Sequence, residues 1–210
     1  NEKPELTDLT ILQWNVLADG LSGRSPTRGG FIRAPEEALA WGRRRWRLLE
    51  EAVRWGPDLM CLQEVDHFED WFAPALGRLG YAGLWARKPS APALRHAAGL
   101  EDGCAIFYLK DKLELKWSSS CVFGVWDLDG SHQPTNQVYI LAEFATKKDP
   151  SRSFLVSTAH LKADKSMQGE QMRAAQARQL LDDVRRRRRP AWPPDAGSDG
   201  SGAGEEGEDG

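Results

Sequence analysis

The stretch Asp58-Leu59-Met60-Cys61-Leu62-Gln63-Glu64 decides how this chain is read. Its apolar residues run together without alternation, as in a strand covered on both faces, and a carboxylate stands at its end. Just before it, Gly56-Pro57 ends a helix that Pro35 opens. Glu36 and Glu37 lie in that helix's first turn, where acids meet the positive end of the dipole. Leu39, Gly42, Trp46, Leu49 and Val53 recur at helical spacing and form its expected buried stripe, which places Trp46 in the core. Further upstream, the apolar run from Leu9 to Asn15 is a short strand that contains Trp14 and delivers Asn15 to its C-terminal end. A Gly/Ser/Arg-rich loop from Asp19 to Ala34 joins it to the helix. After Glu64, a second helix is expected over about Phe68 to Leu79, closed by Gly80. Strand–helix–strand–helix order means an α/β fold.

Beyond a loop centred on Pro89 and Pro92 the pattern changes. Strands are expected over about Cys104–Leu109, Leu113–Val122, Gln137–Phe144 and Phe154–Ala159, paired as a meander. A last helix, about Gln168–Val184, buries Ala174, Ala177, Leu181 and Val184 in this reading. The folded unit then spans residues 1–189. Residues 190–210 are rich in Pro, Gly and acids, too polar for burial to offset the entropy of ordering, and are read as a disordered tail.

The chain has 210 residues, enough for one domain, with 40% hydrophobic and 28% charged residues as in ordinary folded proteins. No run approaches the roughly 20 apolar residues of a membrane-spanning helix. The N-terminus is polar, without a signal core and without Met, which points to a start at an internal or processed position. Cys61, Cys104 and Cys121 are odd in number and lack paired spacing, which argues against a disulfide scaffold or a zinc site and for a reducing, intracellular compartment. Of the formal charge of −3, residues 195–210 contribute six acids and no base, so the remainder carries +3. That suits an anionic substrate.

Three polar residues each follow an apolar strand: Asn15, Glu64 and His160. In open α/β sheets, sites gather at the carboxyl ends of strands. Glu64 is a hard oxygen ligand suited to Mg²⁺, which takes one or two protein carboxylates and keeps water or phosphate elsewhere. Asn15 suits a bond to a metal-bound water or a phosphate oxygen. His160, with Lys162 beyond it, suits phosphoryl oxygens that gain charge during reaction. Other features read more plainly. His67 sits at a helix start, in a capping or surface position. Cys61 lies in a buried strand and is inert. The run Arg185–Arg189 is either an RNA-phosphate contact or, preferably, a solvated helix end whose cations favour the dipole.

The strings LQWNVLAD (12–19), PDLMCLQEVDHF (57–68), DGCAIFY (102–108), TNQV (135–138) and STAHLKA (157–163) occur in order over Leu9 to Val184. Together they resemble the exonuclease–endonuclease–phosphatase superfamily of Mg²⁺-dependent phosphohydrolases, in particular its nocturnin-like branch, related to the carbon-catabolite-repressor-type deadenylases. The resemblance implies a two-sheet sandwich flanked by helices, with Glu64 as metal ligand and Asn15 beside the metal and the scissile phosphate. It makes His160 a phosphate contact, Lys88 and Lys162 substrate-phosphate cations, and Asn136 a residue facing the site. It implies either removal of the 2′-phosphate of NADP(H) or 3′-exonucleolytic removal of poly(A) from RNA, in the cytoplasm or in mitochondria.

Two departures stand against it. Asp164 occupies a position that is usually basic. The GDFN and SDH strings that supply an Asp, an Asn and a His in the family's later half do not occur after Val184. The expectation is therefore the N-terminal portion of such a domain with the C-terminal half missing. Its alternative function is that of a non-catalytic nucleotide- or RNA-binding product. Substrate choice and oligomeric state stay open at this point.

Overall fold

The computed structural model describes residues 9–90, 101–126 and 132–188. Strand β1 (Ile11–Asn15) is followed by two helices, α1 (Glu36–Leu39) and α2 (Trp41–Val53), and then by β2 (Leu59–Val65). A wide π-helical turn, Phe68–Phe72, leads into α3 (Ala73–Gly77), and β3 (Tyr81–Arg87) and β4 (Gly103–Leu109) follow. Three long strands, β5 (Leu113–Trp126), β6 (His132–Thr146) and β7 (Asp149–Ala159), precede the last helix, α4 (Met167–Arg188). The tail read over 190–210, together with Arg189 and Pro92, lies outside the described residues.

Two sheets result. In the first the order is β1-β2-β4-β3, with β1 parallel to β2 and the other pairs antiparallel. The second is the antiparallel meander β5-β6-β7. The sheets pack face to face, β2 and β4 against β6 and β7. The uninterrupted apolar run of β2 is explained by this position. Met60 and Leu62 face α2 and α3 together with Phe72, Leu76 and Phe107. Leu59 and Cys61 point the other way, into the layer shared with Ile106, Val138, Ile140 and Phe144. Period-two alternation thus divides one apolar strand between two cores.

Four expectations change. Strand β3 is absent from the sequence reading because Ala82, Gly83 and Ala86 dilute its pattern. Gly83 is needed there, since a Cβ would lie 2.6 Å from the Phe107 ring. The stripe of α2 is turned: Leu48 and Ala52 are the buried residues, whereas Trp46 is 55% exposed and lies edge-on against Trp71 at 4.6 Å. The first of the three expected helices is broken at Ala40, whose extended backbone separates α1 from α2. Helix α4 buries Gly169 and Gln176 rather than the expected alanines, with Leu181 half exposed, because it meets β5 and β6 through polar groups. Gly124 N–H donates to Gln179 Oε1 at 3.1 Å, Gln176 Nε2 to Gln137 Oε1 at 3.1 Å, and the Tyr139 hydroxyl to Asp183. Three of the arginines of this helix end are paired. Arg185 pairs with Asp182, Arg186 with Asp183, and Arg187 with Glu143 while lying over Trp117.

Gly103 opens β4 where it pairs with Arg87, and a Cβ there would stand 2.0 Å from the backbone oxygen of Ala86. Neither partner is a flexible side chain, so β3 and β4 would have to separate. Gly103→Ala is expected to cost about 3 kcal/mol, the upper end of overpacking effects, read as a lower midpoint in urea unfolding with an unchanged slope.

Candidate active site

Strands β1 and β2 run parallel, so their carboxyl ends lie side by side, and β7 brings its own end to the same edge from the second sheet. Asn15 closes β1, Glu64 lies near the end of β2, and His160 follows β7. Asn15 Nδ2 donates to Glu64 Oε1 at 2.8 Å, and His160 Nε2 is 3.8 Å from the same oxygen. Glu64 Oε2 accepts the Ala18 N–H at 3.3 Å.

Glu64 reaches this cluster through unusual backbone. Its φ is +58°, in the left-handed region, and the β2–β4 register shifts between Gln63 and Val65. This bulge turns Glu64 out of the ladder and towards Asn15. Leu17, at φ +60°, makes a matching turn after β1. That turn is held from two sides: Leu17 N–H donates to Asn15 Oδ1 at 3.0 Å, and Arg44 Nη2 donates to the Val16 carbonyl at 3.0 Å and to that of Leu17. Two strained non-glycine residues, one of which bears the carboxylate itself, are the kind of feature that collects at functional sites.

The remaining expected residues separate into near and far. The Lys88 ammonium is buried against the Asp102 carboxylate, with side-chain exposures of 7% and 0%. Burial and the positive charge of Lys88 hold the His160 imidazole below its ordinary pKa of 6.5, against the opposing pull of Glu64 and Asp102. Asn136 Oδ1 accepts the Ser90 N–H at 2.8 Å, tying β6 to the loop that carries Lys88. Lys162 lies in the loop after His160, where its N–H donates to Gln176 Oε1 at 3.0 Å and its carbonyl accepts from Arg173 at 2.9 Å. Arg173 also binds the Asp164 carbonyl, so a guanidinium lies beside the loop in which an acid replaces the usual base. The structure therefore joins Asn15, Glu64 and His160 directly and sets Lys88 behind His160.

His67 differs from its reading as a cap or surface residue. It is 6% exposed, stacks on Trp41 with ring centroids 3.9 Å apart, and bonds Asp70 at 2.7 Å. Burial works against its cation, but the Asp19 carboxylate 4.0 Å from Nε2, the hydrogen bond with Asp70 and the charges of Asp66 and Asp70 outweigh it and raise its pKa above 6.5. A raised folded pKa stabilises the fold below the unfolded value and loses that contribution as pH climbs through the folded one. Thermal melts of the wild type are thus expected to lose stability from pH 6.5 upwards relative to His67→Gln, the difference between the two becoming constant at high pH.

Among the described residues, no three His, Cys, Asp or Glu side chains gather as a metal cluster. A lone, partly exposed carboxylate with both oxygens oriented fits Mg²⁺, which keeps most of its water, and does not fit Zn²⁺. Cys61 and Cys104 are no candidates, because burial pushes their thiols up to about 11 and about 12.

The sequence profile of the Endonuclease/Exonuclease/phosphatase family matches residues 12–194. The chain belongs to that family. It is 38% identical to nocturnin of Drosophila melanogaster over 175 residues, covering 83% of this chain and 26% of that protein. It is also 39% identical to carbon catabolite repressor protein 4 homolog 1 of Arabidopsis thaliana over 105 residues, 49% of this chain and 17% of that one. Its fold superimposes on the human nocturnin catalytic domain with bound sulfate anion at a TM-score of 0.69 and 31% identity, covering 85% of this chain and 59% of that domain. The chain thus spans well under half of the curated nocturnin. The family fold, with two sheets and flanking helices, is the architecture described above.

Proposed function

We propose that this chain carries the N-terminal part of a Mg²⁺-dependent phosphohydrolase of the nocturnin kind, acting on the 2′-phosphate of NADP(H). One observation supports the reading above all: Asn15 and Glu64, on two strands of one sheet, and His160, just past a strand of the other, meet at one carboxylate in a chain similar to nocturnin over most of its length. In this reading Glu64 holds the ion, which when bound polarises a phosphoryl oxygen. Asn15 keeps the Glu64 carboxylate turned outward through its Nδ2 donation and leaves an amide oxygen lone pair for a water at the site. His160, kept neutral by burial and by Lys88, offers Nε2 to a phosphoryl oxygen as charge develops there. Lys88 and Lys162 supply positive charge near the phosphates, and Asn136 anchors the Lys88 loop. A reducing, intracellular setting suits the buried thiols of Cys61 and Cys104.

The resemblance to the carbon-catabolite-repressor-type deadenylases, and 29% identity to a Neurospora crassa protein named as a 3′-5′-exoribonuclease subunit, support a second reading, 3′-exonucleolytic removal of poly(A). One assay separates them. The chain is incubated with Mg²⁺ and either NADP⁺ or oligo(A), and free phosphate and AMP are measured. Phosphate from NADP⁺ that disappears with Glu64→Ala supports the first reading, and AMP from oligo(A) the second. Binding of NADP⁺ or oligo(A) without turnover makes the chain a nucleotide-binding product and overturns both.

A further inference from the structure

We infer that Gln63 is a positioning residue whose buried amide ties together the three strands carrying Asn15, Glu64 and His160. Gln63 is 5% exposed. Its Oε1 accepts from Gln13 Nε2 at 2.8 Å, while its Nε2 donates to Thr158 Oγ1 at 2.8 Å and to the Cys61 carbonyl at 3.2 Å. Both amide hydrogens and the oxygen are thus in use. The three side chains come from β1, β2 and β7, so the amide bridges the two sheets as well as two strands of one sheet.

The sequence offsets explain why this bridge bears on the site. Gln13 stands two residues before Asn15 on β1 and shares its face. Thr158 stands two residues before His160, and Gln63 immediately precedes Glu64. Neighbouring residues of a regular strand point to opposite faces. The bulge at Glu64 cancels that alternation, so Glu64 meets Asn15 just as Gln63 meets Gln13. Each site residue therefore has a hydrogen-bonded partner of Gln63, or Gln63 itself, one step below it. Apolar contacts between the sheets tolerate a small slide, whereas directional bonds in a low-dielectric interior do not. Gln63 fixes the mutual position of the sheets at the depth where the site begins.

The consequence for the metal rests on the reading in which Glu64 binds Mg²⁺. Losing a partner that orients a ligand typically weakens metal binding 10–100-fold. The test measures Mn²⁺ binding to the full 210-residue chain by electron paramagnetic resonance, for the wild type, Gln63→Met, Thr158→Val and Glu64→Ala, together with the melting temperature of each. Thr158→Val is nearly isosteric and cuts only the bond between sheets, which guards against a Gln63 variant that fails to fold. Crystal structures of the wild type and of Thr158→Val complete it.

The expected result is Mn²⁺ affinity reduced about tenfold or more in Thr158→Val and Gln63→Met, and a His160 Nε2 to Glu64 Oε1 separation longer by about 1 Å, enough to loosen a site. A purely structural Gln63 would lower the melting temperature and leave affinity and separation unchanged, which overturns the proposal. If the wild type binds Mn²⁺ no better than Glu64→Ala, the metal reading fails. The separation in Thr158→Val then decides the positioning role by itself.

Discussion

Glu64→Gly is expected to abolish divalent-cation binding while leaving the melting temperature within a few degrees of the wild type. Two opposed quantities set this outcome. Glu64 sits at φ +58°, where a residue with a Cβ carries about 1–2 kcal/mol of steric strain that glycine lacks. The extra backbone entropy that glycine loses on folding, about 0.5–1 kcal/mol, reduces that relief. Against that relief, the substitution removes the hydrogen bonds from Asn15 at 2.8 Å and Ala18 at 3.3 Å, partly exposed contacts worth about 1 kcal/mol each. The terms nearly cancel, and about 1 kcal/mol moves the melting temperature of a chain this size by roughly 2–4 °C. Glu64→Ala loses the same bonds and keeps the strain, so it melts below Glu64→Gly. Calorimetry on the three proteins, with Mn²⁺ titration of each, checks both halves. A glycine variant less stable than the alanine variant would mean that the left-handed backbone at residue 64 is not strained.

That strain marks where the sequence ceased to be informative. The strands that end in Asn15, Glu64 and His160 were legible because each is an apolar run stopped by a polar residue, and parallel pairing of β1 with β2 aligns two of those ends. Strand β3 was not, since alanine and glycine leave no pattern and its evidence is Phe107 on the neighbouring strand. Trp46 was misplaced for a related reason: in a helix with arginines on several sides, Leu48 and Ala52 define the covered face only once the sheet is present. His67 gave no local sign of burial because Trp41, which covers it, lies far away in the chain. The supports of the site share this property. Arg44 is one of several arginines in α2 until the Leu17 turn lies beneath it, and Gln63 and Thr158 meet only when two sheets close. Local windows reveal what a strand end offers, not which side chain from another layer holds it.

The buried pair behind His160 carries the largest expected effect on stability. Lys88 directly follows β3 and Asp102 directly precedes β4; their backbones also meet, Lys88 N–H donating to the Asp102 carbonyl at 3.0 Å. With side chains only 7% and 0% exposed, neither charge has water to replace a lost partner. Asp102→Ala leaves an ammonium without its counter-charge in the interior, and Lys88→Met leaves the carboxylate. Each is expected to cost about 3–5 kcal/mol. The double variant Lys88→Met/Asp102→Ala removes both charges and leaves neither unpaired in the interior, so it is expected to be more stable than either single variant. Urea unfolding of the four proteins gives the coupling directly, and additive losses would show that the two side chains do not act as a pair. The same series reaches the site. Because Lys88 helps depress the His160 pKa, its removal moves that value up towards 6.5, a shift that NMR titration of the imidazole detects. Asp102→Ala moves it the other way, since Asp102 pulls upward. Opposite displacements from two variants of similar instability would tie the pair to the protonation of His160, because a general loss of packing would push both in one direction.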